Sequence, residues 1–277
     1  MNFKKIASIL SVIVITGLIV YGYILYRDIF GANTKFNENE LYVYIPTDAT
    51  YDDVKKIVSP YIEDMNRFEM VANKKSYPDR SEKSGRFLLK KGMNGNEIVN
   101  SLRLNVPVHL AFNNQERLEN FAGRVGSQIE ADSLSLLNAF RDSKFLQENG
   151  FTEENVLSMF IPNSYEFFWN TSATKFRDRM AKEYRKFWTE ARLEKAKQLN
   201  LTPIQVSVLA SIVHKETVKR DERPKVAGVY LNRLQRGIKL EADPTVIYAV
   251  KLKSGDFNQV IKRVLNKDLV TDSPYNT

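Results

Sequence analysis

The sequence predicts an α+β protein with an N-terminal transmembrane helix, a small α+β subdomain and a larger, mainly helical region with short strands. Three observations support this fold class. Residues 6–26 carry no charge over 21 consecutive positions. A few short segments alternate apolar and polar residues, which is typical of half-buried strands. Longer segments place apolar residues at helical spacing behind capping residues. A chain of 277 residues is long enough for one large or two small hydrophobic cores.

Residues 6–26 are the predicted membrane anchor. As a helix they span about 30 Å, the thickness of a bilayer core. Lys4 and Lys5 precede the run, and the charges of Arg27 and Asp28 cancel behind it. This excess of positive charge predicts a cytoplasmic N-terminus, with the rest of the chain outside the cytoplasmic (inner) membrane of a bacterium. A cleaved signal peptide and a long buried helix are the alternatives.

The cytoplasmic tip and the anchor together cover residues 1–28. They are followed by a polar tether and then by the small subdomain. The tether covers residues 29–38, and the α+β subdomain covers 39–105. In the subdomain, alternating residues predict a strand over 41–45, and Thr50 with Asp53 predicts the capping box of a helix. Further patterns predict a helix near 67–72, a strand over 86–89 and a helix over 98–102.

The remaining region, residues 106–277, is predominantly helical. A strand is predicted over 106–112, followed by a helix that Asn113 or Asn114 caps. Residues 160–165 break the helical pattern. The other predicted helices are, in order, several short ones over 127–160, a long one over 173–199, and three that begin at 203, 224 and 243. The chain stops at Thr277 without a terminating signal, so we expect a truncated C-terminus.

The amino-acid composition excludes several kinds of functional site. The chain has no Cys and 2 His, which excludes disulfides, Cys-ligated metal sites and thiol catalysis. Carboxylates could still hold a hard cation, but we predict no metal and no cofactor. The net charge of +8 suits an anionic partner such as nucleic acid, lipid headgroups or an acidic cell wall. The predicted anchor places this basic region outside the cytoplasm, so we predict no nucleic-acid partner.

One carboxylate falls on an apolar helix face. In the predicted helix over 203–219, Glu216 shares a stripe with Leu209, Ile212 and Val213. A buried Glu is costly unless it is paired or neutral, so we expect Glu216 to pack inward and to stay protonated near neutral pH. A protonated carboxylic acid is what a glycosidase-type general acid requires.

Other interpretations of Glu216 stay open at this point. It could form a structural ion pair with Arg220, Arg223 or Arg233. His214 lies off the stripe and is predicted to be a solvated surface residue.

Glycosidases usually need two carboxylates, and the helix of Glu216 offers one. Asp221 and Asp243 lie near in sequence, but both are better explained as helix caps. One acid without a clear second suits a reaction in which the substrate supplies its own nucleophile.

Four C-terminal segments, in order, resemble the MltG (YceG-like) family of endolytic murein transglycosylases. They are Ala210–Thr217 (ASIVHKET), Glu222–Leu234, Leu240–Tyr248 and Ser273–Thr277. Upstream, Ile161–Glu166 resembles a degraded form of another family segment. The family has one N-terminal membrane helix and a LysM-like subdomain, so the resemblance implies both here and makes the helical region the catalytic domain.

The resemblance implies a membrane-anchored lytic transglycosylase that cleaves MurNAc–GlcNAc bonds of peptidoglycan and leaves 1,6-anhydro-MurNAc ends. It would act on nascent glycan strands, terminate their elongation and work beside peptidoglycan synthases. Glu216 would be the acid and base. The positions that match family motifs and are candidate substrate-binding residues are Tyr165, Asp243, Thr245, Tyr275 and Asn276.

The sequence departs from the family where His214 stands in place of the usual acidic residue. The effect of His214 on activity stays open. Two other functions also stay open. The first is a muramidase-type hydrolase, in which Asp243 or Glu166 would act with Glu216. The second is a non-catalytic, glycan-binding scaffold of the wall-synthesis machinery.

Overall fold

Helices dominate the computed structural model, which describes residues 3–80 and 83–277. The predicted α+β class is confirmed, because two small antiparallel sheets accompany the helices. The helices are α1 (Phe3–Phe30), α2 (Tyr51–Val58), α3 (Met65–Lys74), α4 (Gly95–Ser101), α5 (Leu118–Gly126), α6 (Ser133–Phe140), α7 (Ser143–Asn149), α8 (Ala173–Phe187), α9 (Glu190–Gln198), α10 (Pro203–Glu216), α11 (Arg223–Gln235) and α12 (Asp243–Ser254). The strands are β1 (Glu40–Ile45), β2 (Gly85–Lys90), β3 (Val108–Phe112) and β4 (Asn163–Phe167).

The chain divides into two compact units. The first comprises Met1–Phe145 and Pro162–Arg179, and the second comprises Leu146–Ile161 and Met180–Thr277. The boundaries of the predicted anchor, tether, subdomain and catalytic domain stay predictions.

Helix α1 contains the whole of the predicted anchor, residues 6–26. It runs for 28 residues, and its described apolar side chains, such as Val12, Leu18 and Ile19, are exposed. Within the described part of the chain, no helix meets the length and apolarity needed to cross a membrane. The side chains of residues 6–9 lie outside the described ones. A membrane anchor over residues 6–26 therefore stays a prediction.

The first core of the N-terminal unit lies between a two-stranded sheet and three helices. Strands β1 and β2 pair antiparallel, with Val43 opposite Phe87. The predicted capping box is confirmed, since Thr50 and Asp53 bond reciprocally at the start of α2. The buried residues of this core all fall within the predicted 39–105 subdomain: Val43, Ile45, Val54, Val58, Ile62, Phe68, Val71, Ala72, Tyr77, Phe87, Leu89, Ile98, Val99 and Leu102. Its likeness to LysM stays a prediction.

Strand β4 was not expected, because residues 160–165 were interpreted as a break. It pairs antiparallel with β3, and Leu110 lies opposite Tyr165. The partner strand is more than 50 residues away, and its pairing leaves no local pattern in the segment. Beside this sheet, Phe121, Phe140 and Phe176 pack with ring centroids 5.5 to 6.2 Å apart. These aromatic contacts form a second core in the same unit.

Two predicted helix boundaries are wrong. Helix α5 begins after Arg117 without a side-chain cap, and the carboxamide of Asn113 instead accepts a hydrogen bond from Gln115. The predicted single helix over 173–199 is two helices, α8 and α9. Thr189 interrupts it by adopting the extended backbone of a helix N-cap, a position that Thr favours.

The second unit places α10 against α9, α11, α12 and a 3₁₀ turn at Val156–Met159. The predicted capping box at its start is confirmed, with reciprocal bonds between Thr202 and Gln205. The buried residues of its core are Leu209, Ile212, Val213, Tyr230, Leu240 and Ala242. This core fixes the direction of α10 and the position of its last residue, Glu216.

Candidate active site

Glu216 is the last residue of α10 and is exposed. The prediction that it packs inward is therefore wrong. Ile212 and Val213 on the same stripe are buried, so the predicted direction of the face is correct. The helix ends at Glu216 instead of continuing to residue 219, and its side chain extends beyond the core into solvent. The burial on which the expectation of a protonated acid rested is therefore absent.

Glu216 lies in the neighbourhood of Tyr230 on α11. The Tyr230 side chain is 6% exposed in the core. The pKa of Tyr230 is raised to about 12, first by burial and then by the nearby Glu216 carboxylate. The charges of Arg233 and Asp243 also act on Tyr230, so both lie in the same neighbourhood.

Sequence reasoning missed Tyr230 as a site residue. It lies on the helix face that carries Val226, Ala227 and Leu231, which pack against the same core. An aromatic residue at helical spacing on such a face is ordinarily read as core. The available signal was its hydroxyl, because a buried Tyr usually needs a hydrogen-bond partner.

The alternative of a structural ion pair at Glu216 is not borne out. Arg233 instead pairs with Glu241 at 2.7 Å and donates to the Lys239 carbonyl at 2.9 Å. Within the described residues, Arg220 and Arg223 form no ion pair with Glu216 either. His214 is exposed, as predicted.

The loop between α10 and α11 holds the chain just after Glu216. The Thr217 hydroxyl donates to Glu222 Oε2 at 2.8 Å and accepts from the Lys219 amide at 3.1 Å. Lys219 Nζ lies 3.0 Å from Glu222 Oε1. Together the Thr217 hydroxyl and the Lys219 ammonium lower the pKa of Glu222. The charges of Lys219 and Glu222 are therefore paired with each other within the loop.

Two predicted helix caps are wrong. The N-cap of α11 is Glu222 rather than Asp221, and it makes no side-chain capping bond. The N-cap of α12 is Ala242, which leaves Asp243 and Pro244 inside the first turn. Pro244 then occupies the second helical position, where its missing N–H removes no intrahelical hydrogen bond, so proline does not distinguish the two starts. Asp243 is exposed there and free to serve a role other than capping.

Three other predicted substrate-binding residues meet near the start of α12. The Thr245 hydroxyl donates to the Ala242 carbonyl at 2.8 Å and lies 3.1 Å from the Thr277 hydroxyl. Tyr275 contacts Tyr248 of α12 edge to face, with ring centroids 4.8 Å apart. The side-chain amide of Asn276 donates hydrogen bonds to the carbonyls of Leu269 and Thr271. These contacts are structural, and substrate binding by these residues stays a prediction.

Tyr165 belongs to the other unit. It lies on β4 and stacks on Phe112, with ring centroids 5.6 Å apart. Its predicted role in substrate binding also stays a prediction. Among the residues that the structure describes, no group of three or more His, Asp or Glu side chains is arranged to hold a metal ion.

Comparison with solved structures defines the fold class. The chain matches the crystal structure of a yceG-like protein from Listeria monocytogenes with a TM-score of 0.54 and 22% sequence identity. The match covers 87% of this chain and 83% of that one, so the two share a fold. A model of the YceG-like family matches residues 43–277. The chain therefore belongs to the YceG-like family.

Two curated relatives match shorter stretches of the chain at higher identity. An endolytic murein transglycosylase from Bacillus subtilis (strain 168) is 45% identical over 69 residues, which are 25% of this chain and 17% of that protein. An endolytic murein transglycosylase from Streptococcus pneumoniae (strain D39) is 37% identical over 82 residues, 29% of this chain and 14% of that protein. The aligned segments thus span less than a fifth of these relatives.

Proposed function

We propose that this protein is an endolytic peptidoglycan lytic transglycosylase in which Glu216 is the general acid and base. Membership of the YceG-like family and the names of the relatives from two genera support the reaction class. The observation that carries the residue assignment is the position of Glu216. It stands exposed at the end of a helix whose apolar face is anchored in the core.

The reaction is an intramolecular transfer within the glycan. Glu216 in its protonated form donates its proton to the oxygen between MurNAc and GlcNAc as the bond from MurNAc C1 breaks. The Glu216 carboxylate then accepts the proton of the MurNAc C6 hydroxyl, whose oxygen attacks C1. The products are a 1,6-anhydro-MurNAc end and a free GlcNAc hydroxyl. The proton balance closes on one carboxyl group, and water does not enter.

The position of Glu216 suits both roles. Its carboxyl group is exposed at the end of α10, so a glycan oxygen can approach it directly. The buried residues of α10 fix the helix end that carries it.

We further propose that residues 6–26 anchor the protein as a single-pass helix, with its N-terminus in the cytoplasm. The uncharged run of 21 residues and the preceding Lys4 and Lys5 support this topology. The enzyme would then act outside the bacterial cytoplasmic membrane on nascent strands, terminate their elongation and contact peptidoglycan synthases. The subdomain over 39–105 would bind glycan in the manner of a LysM unit.

The test is digestion of purified peptidoglycan by the purified chain, with mass spectrometry of the new glycan ends. Wild-type protein should produce anhydro ends, and Glu216→Gln should lower their rate at least about 100-fold. Glu194→Gln is the matched control, since Glu194 is exposed on α9. Equal rates for wild type and Glu216→Gln would refute the assignment of the acid.

A muramidase-type hydrolase is the second candidate, and one observation favours it. Asp243 is exposed, and its charge acts on Tyr230 as that of Glu216 does, so the two carboxylates share one neighbourhood. A second carboxylate in this neighbourhood could activate water. Reducing ends in place of anhydro ends, together with loss of activity in Asp243→Asn, would establish hydrolysis.

A further inference from the structure

The outward face of the β1–β2 sheet carries two exposed tyrosines. Along β1, Val43 and Ile45 are buried in the core, so Tyr42 and Tyr44 alternate with them and lie on the opposite face. Tyr42 is 40% exposed and Tyr44 is 43% exposed. Single exposed apolar residues are normal on a protein surface, whereas a contiguous group of them marks a binding surface.

Trp169 extends this face from outside the two strands. Its ring packs edge to face against Tyr44, with ring centroids 5.2 Å apart, and it belongs to the same unit. Its backbone is fixed, because the Trp169 carbonyl accepts a hydrogen bond from the Glu130 amide at 2.8 Å. Tyr42, Tyr44 and Trp169 therefore form one surface, which we call the aromatic platform.

Arg86 supplies a positive charge at the aromatic platform. It lies opposite Tyr44 in the register of β1 and β2, and its guanidinium stacks over the Tyr42 ring, 4.3 Å from the ring centroid. The guanidinium also donates to the carbonyl of Val106 at 3.3 Å and to that of Pro107. Among the residues that the structure describes, Arg86 forms no ion pair. Its orientation is therefore fixed, while its charge has no carboxylate partner.

The chemistry of the platform fits a peptidoglycan strand. One face of a pyranose ring presents C–H groups that pack on an aromatic ring, while its hydroxyl groups stay in water. Side chains that are already held in place lose little conformational entropy when a ligand binds. The lactyl carboxylate of MurNAc is the anionic partner that Arg86 lacks. A lipid surface is bound instead by apolar side chains that insert into it, whereas these rings are held against their neighbours on the sheet.

We propose that the aromatic platform is a binding site for a glycan strand of alternating GlcNAc and MurNAc. This inference deepens the proposed glycan binding by the subdomain and rests on the proposed function for the choice of ligand. Sugar rings stack on the three aromatic side chains, and Arg86 pairs with a lactyl carboxylate. The platform belongs to the first unit, whereas Glu216 belongs to the second. Because Trp169 lies outside residues 39–105, the binding surface extends beyond the predicted subdomain.

Trp169 itself can report binding, because the chain has two tryptophans, Trp169 and Trp188. In the full chain, held in detergent, Trp188→Phe leaves Trp169 as the single tryptophan, and Glu216→Gln is added to keep the probe from being cleaved. The probe is a GlcNAc–MurNAc tetrasaccharide without stem peptides, and mass spectrometry checks that it stays intact. Titration with the probe should change the Trp169 fluorescence and reach saturation. Fluorescence that stays constant up to the solubility limit of the probe would overturn the proposal.

Variants of the platform test the stacking, each added to the same reporter protein. Tyr44→Ala should raise the Kd of the tetrasaccharide roughly tenfold, because an aromatic anchor is lost. Tyr44→Phe keeps the ring and should bind as the reporter protein does. Leu104→Ala is the matched control, since Leu104 is also an exposed apolar side chain of the first unit but lies outside both strands. An unchanged Kd in Tyr44→Ala, or an equal loss in Leu104→Ala, would overturn the proposal.

Chitotetraose, the GlcNAc tetramer without lactyl groups, tests the charge of Arg86. At low salt it should bind about threefold more weakly than the MurNAc-containing probe, which is the effect of one exposed ion pair. The two affinities should converge in ~1 M salt, because salt screens that pair. Equal affinities at low salt would overturn the pairing of Arg86 with the lactyl carboxylate.

Other occupants of the platform give different results. Trp169 fluorescence that changes on dilution without glycan would show that a second copy covers the platform, and would overturn glycan binding. A response to transfer from detergent into phosphatidylglycerol vesicles, without a response to the tetrasaccharide, would assign the platform to a lipid surface. The proposed function is tested separately. A wild type that binds the tetrasaccharide through the platform but leaves peptidoglycan intact would refute the transglycosylase and support the binding site.

Discussion

The Thr217 hydroxyl is the most informative stability target next to the candidate acid. Thr217 is 9% exposed at the C-cap of α10, directly after Glu216. Its hydroxyl joins Glu222 and the backbone amide of Lys219. Thr217→Val keeps the branched shape and removes both hydrogen bonds. Thr217→Ser keeps the hydroxyl and loses only a methyl group, which makes it the matched control.

The expected magnitude follows from the hydrogen bond to the Lys219 amide. A neutral hydrogen bond contributes about 1 kcal/mol net to the free energy of local opening. Because a factor of ten corresponds to about 1.4 kcal/mol, the loop should open about fivefold more often in Thr217→Val. The hydrogen bond to Glu222 adds little to this free energy, because that carboxylate is solvated and water replaces the lost donor.

Hydrogen exchange with mass spectrometry measures the opening directly. In Thr217→Val, the amide of Lys219 should exchange about fivefold faster, while the amides in the middle of α10 keep their rates. Thr217→Ser should stay within twofold of wild type. If both variants exchange at the wild-type rate, the Thr217 hydroxyl does not hold the loop after Glu216, and the reasoning fails.

Three further predictions concern the framework of the two units. Thr202→Ala removes the side-chain cap of α10. It should lower the free energy of unfolding of the protein by about 1 kcal/mol, measured by urea denaturation. Gly85→Ala should destabilise the first unit by roughly 1–3 kcal/mol, because φ is +144° and the new Cβ would lie 2.5 Å from the Asn105 side chain; wild-type thermal stability would contradict this. The hydrogen bond from Thr217 is the first cause that lowers the pKa of Glu222. The stabilisation that the Glu222 carboxylate gives the loop is therefore fully present above pH ~4.3 and is lost as the pH falls through the lowered pKa. After correction for intrinsic rates, loop exchange should therefore rise in acid in wild type and stay flat in Glu222→Gln.

Local features of the fold were predictable because their causes are local. The capping boxes at Thr50 and Thr202 depend on residues three positions apart, and the structure contains both. Period-two alternation identified β1 at 41–45 for the same reason. The stripe of Leu209, Ile212 and Val213 also gave the buried face of α10 correctly. In each case a short stretch of chain contains all of the interacting groups.

Features that depend on distant partners, or on the residue at which a helix begins or ends, were not predictable from local patterns. Strand β4 forms because β3 supplies its hydrogen bonds, and the segment itself contains Pro162 and Asn163, which are poor strand formers. The cap of α12 is Ala242 rather than Asp243, and Pro244 is compatible with either start because the N–H groups of the first turn have no intrahelical partner. Helical periodicity gives the direction of a side chain but not where the helix ends. Ile212 and Val213 are therefore buried as predicted, whereas Glu216 at the end of the helix is exposed.

The exposure of Glu216 changes the physical account of the proposed acid. A buried acid would hold its proton through desolvation and would need an opening through which a polymer could reach it. An exposed acid at a helix end is already accessible to a long glycan strand, which suits internal cleavage. Its order must then come from contact rather than from enclosure. The core contacts of Leu209, Ile212 and Val213 fix the helix end that carries Glu216, so the rigid part of the site is the helix and the accessible part is the carboxyl group.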